Sequence, residues 1–319
     1  MGRVRNRHQA SARGAGPLTG AGDLPCGHRA VTRLLYTGED RLCGVSGRFE
    51  VSACAACGLG ATVPRLSSAE LGPYYPDSYP AFRPPPPRTS LRDRVGGRLD
   101  DVRFSAAMRF GAFRPLVRAG SGRLLDVGCG RGDLAHWFAA RGWRVAGVEP
   151  GAEAAAQAAA RGIEMHHGTL DDVPWPPSSF DAISFNHSLE HVHDPLRALV
   201  QARTLLRPGG LLIVSVPNFD SWQRRLFGSR WFHLDLPRHL QHFGRVSLTA
   251  IARSAGLEPI QVRATSSLAG LPGSIQYAVA GKLTLSDTAM HRTMHLAYPL
   301  SLIGDLFGEA DCLHLVCRA

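Results

Sequence analysis

Lysine is almost absent from this chain. Lys282 is the only one in 319 residues, so arginine carries nearly all the positive charge behind a net charge of +10. A basic chain invites a nucleic-acid reading. However, Arg3, Arg5, Arg7 and Arg13 fall in a Gly/Ala/Ser-rich leader with the composition of a disordered segment. The remaining arginines are scattered and not interleaved with aromatics, so no nucleic-acid partner is expected. Long apolar runs are missing as well: none approaches the ~20 residues of a membrane-spanning helix. The basic start, MGRVRNRHQASARGAG, lacks the apolar stretch that follows in a secretory signal. The expectation is a soluble, cytoplasmic protein with no membrane partner. There is no internal repeat. The seven cysteines are an odd number in a chain without a signal, which argues against a disulfide framework.

Hydrophobic residues make up 44% of the chain, enough to fill a core, and the length suits one large and one small domain. Residues 1–22 read as a flexible basic leader, 23–82 as a compact cysteine- and tyrosine-bearing segment, and 83–120 as a Pro-rich linker (Pro84 to Pro87) followed by a helix. In that helix, from about Leu91 to Ala119, Val102, Phe104, Met108, Phe110 and Phe113 are the candidate core positions. From 121 onward strand and helix alternate. Strands are expected at Arg123–Val127, Arg144–Glu149, Ile163–His167, Phe180–Asn186 and Leu211–Val216, with helices at Asp133–Arg141, Ala152–Arg161 and Pro195–Leu206 between them. This alternation implies a mostly parallel, doubly wound sheet covered on both faces. After Pro217 the periodicity stops. Residues 218–245, rich in Trp, Phe, His and Arg, form a long irregular segment of the kind that builds substrate sites beside strand ends. A helix (Val246–Ala255), a strand (Leu257–Ala264) and a last strand at Cys312–Cys317 complete the pattern.

The most informative stretch is RLLDVGCGRGDLAHWF, where an apolar strand enters a glycine loop and a helix follows. Glycines at 128, 130 and 132 make G-x-G-x-G. The dinucleotide fingerprint would need a glycine at 133, where Asp133 stands. A dinucleotide site cradles a pyrophosphate at a helix N-terminus. Here Asp126 precedes the loop and Asp133 opens the helix, and two carboxylates suit a cation instead. Glu149, at the end of the next strand, is placed to accept a pair of ribose hydroxyls. These features match S-adenosylmethionine, which carries an ammonium and a sulfonium and no phosphate.

The chain resembles the Rossmann-like, class I S-adenosylmethionine-dependent methyltransferases, specifically those with a small N-terminal zinc-ribbon-like segment. The resemblance rests on LLDVGCGRG, FDAISFNHSLEHVHDP, LRPGGLLIVSVPN and WFHLDLPRHLQHF, in that order, and covers about residues 23–319. It implies an α/β, seven-stranded, mostly parallel sheet preceded by a cysteine-containing ribbon. It places Asp126 near the methionine ammonium and the Gly128 and Gly130 backbone beside the cofactor. Glu149 would hold the ribose, Thr169, Leu170 and Asp171 would border the adenine, and Asn186 would lie beside the transferred methyl. Cys129 within the loop is a harmless departure.

Methyl transfer from a sulfonium needs an aligned nucleophile and exclusion of water. A hydroxyl nucleophile must also lose a proton, for which histidine is the natural base. Two clusters qualify: His187, Glu190 and His191 after strand four, and His233, Asp235, Arg238, His239 and His242 in the irregular segment. The candidate catalytic residues are His191, His239 and His242. Trp231 and Phe232 are expected to seal the pocket. A magnesium site in the first cluster is disfavoured, because His187 stands where the related quinone-pathway enzymes carry an acid and hard cations want oxygen ligands.

Cys54-Ala-Ala-Cys57-Gly is one half of a zinc knuckle. The other half is incomplete: Cys26 is present, but Asp23 occupies the partner position. A structural zinc would use Cys26, Cys54, Cys57 and His28 or Asp23, with Cys43 a further candidate. The alternative is a ribbon that survives on packing alone. Tyr74, Tyr75 and Tyr79 either pack between domains or wall the substrate pocket. The leading functional expectation is O-methylation of a small-molecule or sugar-like metabolite. The alternatives are an RNA methyltransferase, which lacks its Asn/Asp-Pro-Pro-aromatic signature here, and a non-catalytic cofactor-binding scaffold. Oligomeric state is left open.

Overall fold

The structure, a computed structural model, describes residues 18–19, 26, 32–76, 79, 91–283 and 287–319. Most of the leader, His28, Asp23 and the prolines at 84–87 lie outside the described residues.

Two sheets organise the chain. The larger contains β5 (Gly122–Val127), β6 (Trp143–Glu149), β7 (Glu164–His167), β8 (Phe180–Asn186), β9 (Leu206–Pro217), β11 (Glu258–Thr265) and β12 (Cys312–Arg318). Its seven strands run in the order β11-β12-β9-β8-β5-β6-β7. Pairing from β9 through β7 is parallel, and β12 alone runs against its neighbours β9 and β11. The chain moves outward from β5 to β6 and β7, then returns to lay β8 on the other side of β5. The crevice beyond the carboxyl ends of β5 and β8 is therefore the topological switch point, where such sheets bind ligands. Apolar runs such as Leu124–Leu125 and Ala182–Ile183 are fully buried because helices cover both faces.

The smaller sheet is antiparallel. It contains β1 (Leu18–Thr19), β2 (Thr32–Gly38), β3 (Phe49–Cys54) and β4 (Gly60–Val63). Its last strand, β10 (Gln241–His242), comes from the irregular segment after β9: Gln241 pairs with Ala61 and His242 with Gly60. The two regions also share a core, in which Phe49, Val51 and Tyr74 pack with Phe219, Trp231, Leu234 and Leu236. The N-terminal ribbon and the segment 218–245 thus bury one common apolar surface.

The expected strands are found within a few residues of their bounds, and β9 starts earlier, at Leu206. The expected helix 91–119 is two helices, Leu91–Phe110 and Arg114–Ala119. Met108 and Phe113 are buried, but Val102 is 66% and Phe110 71% exposed. Each of these two lies two positions from an inward-facing residue (Phe104 and Met108), which puts it ~200° around the helix, on the outer face. The sequence reading carries no element between 265 and 311. The structure has helices there at Gly270–Ala280, Asp287–Ser301 and Ile303–Phe307. Among the described residues no helix is long and apolar enough to cross a membrane.

Candidate active site

A cavity of about 660 Å³ opens over the carboxyl ends of β5 and β8. One wall is the glycine loop: Asp126, Gly128, Cys129, Gly130 and Arg131. Asn186 and His187 continue from β8, and Glu190, His191, His233, Asp235 and His239 face them, with Phe104, Tyr79 and Phe232 as apolar cover. The size is that of a small-molecule site.

The loop requires its glycines. Gly128 has φ +70°, and a Cβ there would come 2.5 Å from Ser188 Cβ. Ser188 is held in place by donating its hydroxyl proton to the Val127 carbonyl at 2.5 Å. Gly130 has φ +53° with no atom within 4 Å of where a Cβ would stand, so its backbone is open to the cavity. Asp126 is buried and accepts the Ser184 hydroxyl at 2.7 Å. Burial pushes its carboxyl up to about 7, against that hydrogen bond, and Glu149 adds to the rise. A buried carboxylate of this kind fits a cationic ligand, whose charge would restore its ionised form. Asp133, by contrast, is paired with Arg131 and Arg161 at 2.7 Å each.

The remaining residues expected at the cofactor lie beyond the cavity lining. Glu149 is buried, with its two oxygens accepting the N–H groups of Gly130 (2.9 Å) and Gly151 (2.8 Å), and burial raises its pKa. Thr169 caps the turn Leu170–Asp172, Leu170 is in the core, and Asp171 is exposed and pairs with Arg197 at 3.0 Å.

The histidines separate into different environments. His191 Nδ1 lies 3.0 Å from the Arg238 carbonyl and 2.9 Å from the Tyr75 hydroxyl. A carbonyl can only accept, so Nδ1 carries the proton and Nε2 keeps its lone pair. His239 stands edge-on to His191 at 4.7 Å between centroids. Its Nδ1 donates to the His233 carbonyl at 2.9 Å, and its Nε2 lies 3.9 Å from Glu190 and 3.7 Å from Asp235. Burial, with help from the neighbouring histidines, holds His239 neutral. Glu190 is 1% exposed, and among the described residues neither of its carboxylate oxygens has a hydrogen-bond partner. His187 Nδ1 is 3.6 Å away. A buried carboxylate without donors is costly, so this corner of the cavity is built to receive a donor or a cation. Glu190, His191 and His239 have ligand atoms within 4.8 Å of one another.

His242 does not reach the cavity. It sits in β10, its ring stacked on Phe219 at 5.2 Å and its Nε2 3.0 Å from the Thr62 hydroxyl, and burial pushes its pKa down to about 3. The period-two alternation of β10 sends His242 into the ribbon, whereas His239 lies just before the strand. Arg238 is likewise unavailable to a ligand. It is fully buried and donates to Asp235, Asp40 and the Tyr74 carbonyl. Trp231 belongs to the ribbon core, so of the two aromatics expected to seal the pocket Phe232 lines it and Trp231 does not. The tyrosines divide: Tyr74 donates to the Ser46 carbonyl within the ribbon, while Tyr75 and Tyr79 turn toward the site. Asp40 and Asp311, both buried partners of site residues, carry no local motif and escaped the sequence reading.

In the ribbon, Cys26, Cys54 and Cys57 bring their sulfurs within 4.8 Å of one another. Cys43 is not in that group: its N–H donates to Asp40 at 3.0 Å. Burial works against the Cys54 thiolate, but the N–H groups of Cys57 and Ala56 outweigh it and hold the thiol below its ordinary value. Three convergent sulfurs fit a thiolate-bound metal such as zinc.

A family model described as "Methyltransferase domain" matches residues 100–262, about half the chain. Among curated relatives, a ubiquinone biosynthesis O-methyltransferase of Cereibacter sphaeroides is 32% identical over 150 residues, which are 43% of this chain and 61% of that protein. Its counterpart from Ruegeria pomeroyi is 33% identical over 150 residues, 43% of this chain and 60% of that one. The chain thus spans about three fifths of the length of the curated relatives it matches. Among solved structures, a Thermotoga maritima protein described as a SAM-dependent methyltransferase and possible histamine N-methyltransferase is 22% identical. The match has a TM-score of 0.45 and covers 70% of this chain and 98% of that chain. A Mesorhizobium loti S-adenosylmethionine-dependent methyltransferase is 21% identical, with a TM-score of 0.43, covering 66% of this chain and 100% of that chain.

Proposed function

The chain belongs to the methyltransferase-domain family, and on that premise we propose that it is an S-adenosylmethionine-dependent methyltransferase acting on a hydroxyl of a small-molecule or sugar-like metabolite. The observation that carries this reading is the cavity itself. It joins a buried carboxylate, Asp126, and an open glycine loop on one wall to a group of histidines and acids on the other. Bound against the loop, the cofactor would supply a methyl group on a positively charged sulfur, a leaving group that is already activated. Asp126 would hold the ammonium, Glu149 the ribose from beside Gly130, and Asn186 the region of the methyl. Glu190, His191 and His239 would orient the acceptor by hydrogen bonds, and Phe104, Tyr79 and Phe232 would keep water out. The likeness to the O-methyltransferases of quinone biosynthesis supports oxygen as the acceptor atom.

The test has two parts. Calorimetry with S-adenosylmethionine, S-adenosylhomocysteine and NAD should register the first two and not the third. Incubation with methyl-labelled cofactor and a fractionated extract of the source cell, followed by mass analysis, should then place the label on an oxygen of a small molecule. Binding of NAD alone would overturn the reading. For the ribbon we propose one structural zinc held by Cys26, Cys54 and Cys57, with His28 as the expected fourth ligand.

A further inference from the structure

Asp311 has no exposed surface and stands immediately before β12, whose first residue pairs with Pro217 at the end of β9. That register puts it at the same edge of the sheet as Asn186 and the glycine loop. Its backbone is fixed there by Asn218, whose N–H donates to the Asp311 carbonyl at 2.8 Å. The carboxylate then accepts the N–H of Ser267 (2.8 Å), the hydroxyl of Ser267 (2.5 Å) and Nε2 of His233 (2.9 Å). The fit is close: at Gly270 an added Cβ would come 1.9 Å from Asp311 Oδ2 and 2.8 Å from His233 Nε2.

The carboxylate determines the tautomer of His233. A carboxylate can only accept, so Nε2 carries the proton and Nδ1 keeps the lone pair. His233 lines the cavity, and among the described residues its Nδ1 has no hydrogen-bond partner. The ring is flanked by Trp231 (5.5 Å) and Phe232 (5.3 Å). The other cavity histidines lack this arrangement. His191 is backed by a neutral carbonyl. His239 donates Nδ1 to a carbonyl and turns Nε2 toward two carboxylates. His187 Nδ1 is 3.6 Å from the buried Glu190, beyond hydrogen-bond reach, so among the described cavity histidines His233 is the one with a buried carboxylate hydrogen-bonded to one ring nitrogen and a lone pair on the other.

We infer that His233 is the proton acceptor for methyl transfer and that Asp311 is its positioning residue, an inference that rests on the O-methylation reading above. In the step, the acceptor O–H bond breaks and its proton passes to Nδ1 of His233. The oxygen lone pair forms the O–CH3 bond while the C–S bond breaks with its electron pair going to sulfur, leaving a neutral thioether. The positive charge lost from sulfur reappears on the His233–Asp311 pair, and the imidazolium returns its proton to water as product leaves.

Two measurements test this on the full chain. The first is the ¹⁵N spectrum of the histidine rings, which needs no acceptor. His233 should be the Nε2–H tautomer in the wild type. In Asp311→Asn the Ser267 N–H retains the amide oxygen, so the NH₂ group faces Nε2 and the proton should move to Nδ1. The second is turnover with methyl-labelled cofactor and two probes, catechol and methyl α-glucoside. D311N and H233Q should each lower kcat by ~10²-fold or more, with KM and cofactor affinity within about threefold of wild type. Retained cofactor binding shows that a variant has folded, and H233Q stands in if D311N does not fold. An Nδ1–H tautomer in the wild type, or an H233Q variant with full turnover, overturns the inference. A wild type that binds cofactor yet labels neither probe counts against the O-methylation reading, and the tautomer measurement still decides the dyad.

Discussion

The guanidinium of Arg238 lies 2.6 Å from the carboxylate of Asp40, with neither side chain exposed to solvent. This pair joins the loop after β2 to the loop after β9. Asp40 also accepts the N–H groups of Leu42, Cys43 and Val45, and Arg238 also holds Asp235 and the Tyr74 carbonyl. Asp235 needs that hold, because its φ of 39° is in the left-handed region that favours glycine. Removing one member leaves a buried charge without its partner. Arg238→Ala or Asp40→Ala is expected to destabilise the protein by ~3–5 kcal/mol, read from urea unfolding. A loss below ~1 kcal/mol would show that the two loops are held by their shared apolar core.

Cofactor affinity should depend on pH through Asp126. Its folded pKa is raised to about 7 from an ordinary 3.8. The folded state therefore binds the proton more tightly than the unfolded state, and this group's contribution to stability declines as pH rises between those values. Binding an ammonium requires the ionised form, so affinity should move the opposite way. Calorimetry should show S-adenosylmethionine binding ~10-fold weaker at pH 6 than at pH 8, with proton release on the acid side. Asp126→Asn should abolish this dependence. A flat profile in the wild type would place the ammonium elsewhere.

Glu149→Ala should weaken cofactor binding by ~1–3 kcal/mol, the range for hydrogen bonds to a charged group. Part of that loss is expected from the glycine loop, since Glu149 holds the Gly130 N–H. An unchanged dissociation constant in the folded variant would remove Glu149 from the site.

His239 and His242, three residues apart, should respond differently. His239→Ala, which removes an acceptor-orienting group from the cavity, is expected to lower turnover by ~10²-fold with cofactor affinity nearly unchanged. His242→Ala, in the ribbon, should cost ~1–3 kcal/mol of stability and leave turnover per folded molecule near wild type. The buried His242, with its pKa near 3, favours folding above its ordinary 6.5, and that contribution is lost as pH falls toward 3. Equal turnover defects in the two variants would contradict the placement of His242 against Thr62 and Phe219.

Purified protein should contain about one zinc per chain, lost in Cys54→Ser and in Cys57→Ser. Metal analysis of folded protein never exposed to chelator checks it, and a stoichiometry near zero would favour a ribbon held by packing alone.

Much of this was legible in the sequence, for local reasons. The apolar run ending at Asp126, glycines at 128 and 130, and the acid at 149 depend on residues adjacent in the chain, so strand, loop and helix could be read in order. The same holds for Phe180–Asn186, a buried parallel strand whose Phe180, Ala182, Ile183 and Phe185 form a short apolar run. The roles of the histidines were not legible. WFHLDLPRHLQHF shows three histidines as equals, and nothing local says that β4 will pair with Gln241–His242 and draw the last of them out of the cavity. Nor does a local pattern announce Asp40 as the partner of Arg238, or Asp311 as the partner of His233, because each pair is joined only after distant segments pack. The order of local elements, and with it the sheet and the cofactor loop, was determined by sequence alone, since hydrophobic period and glycine geometry act over a few residues. Which polar side chains face the ligand and which are spent on one another was decided by tertiary structure, since a buried charge takes whatever partner the packing brings within hydrogen-bond reach.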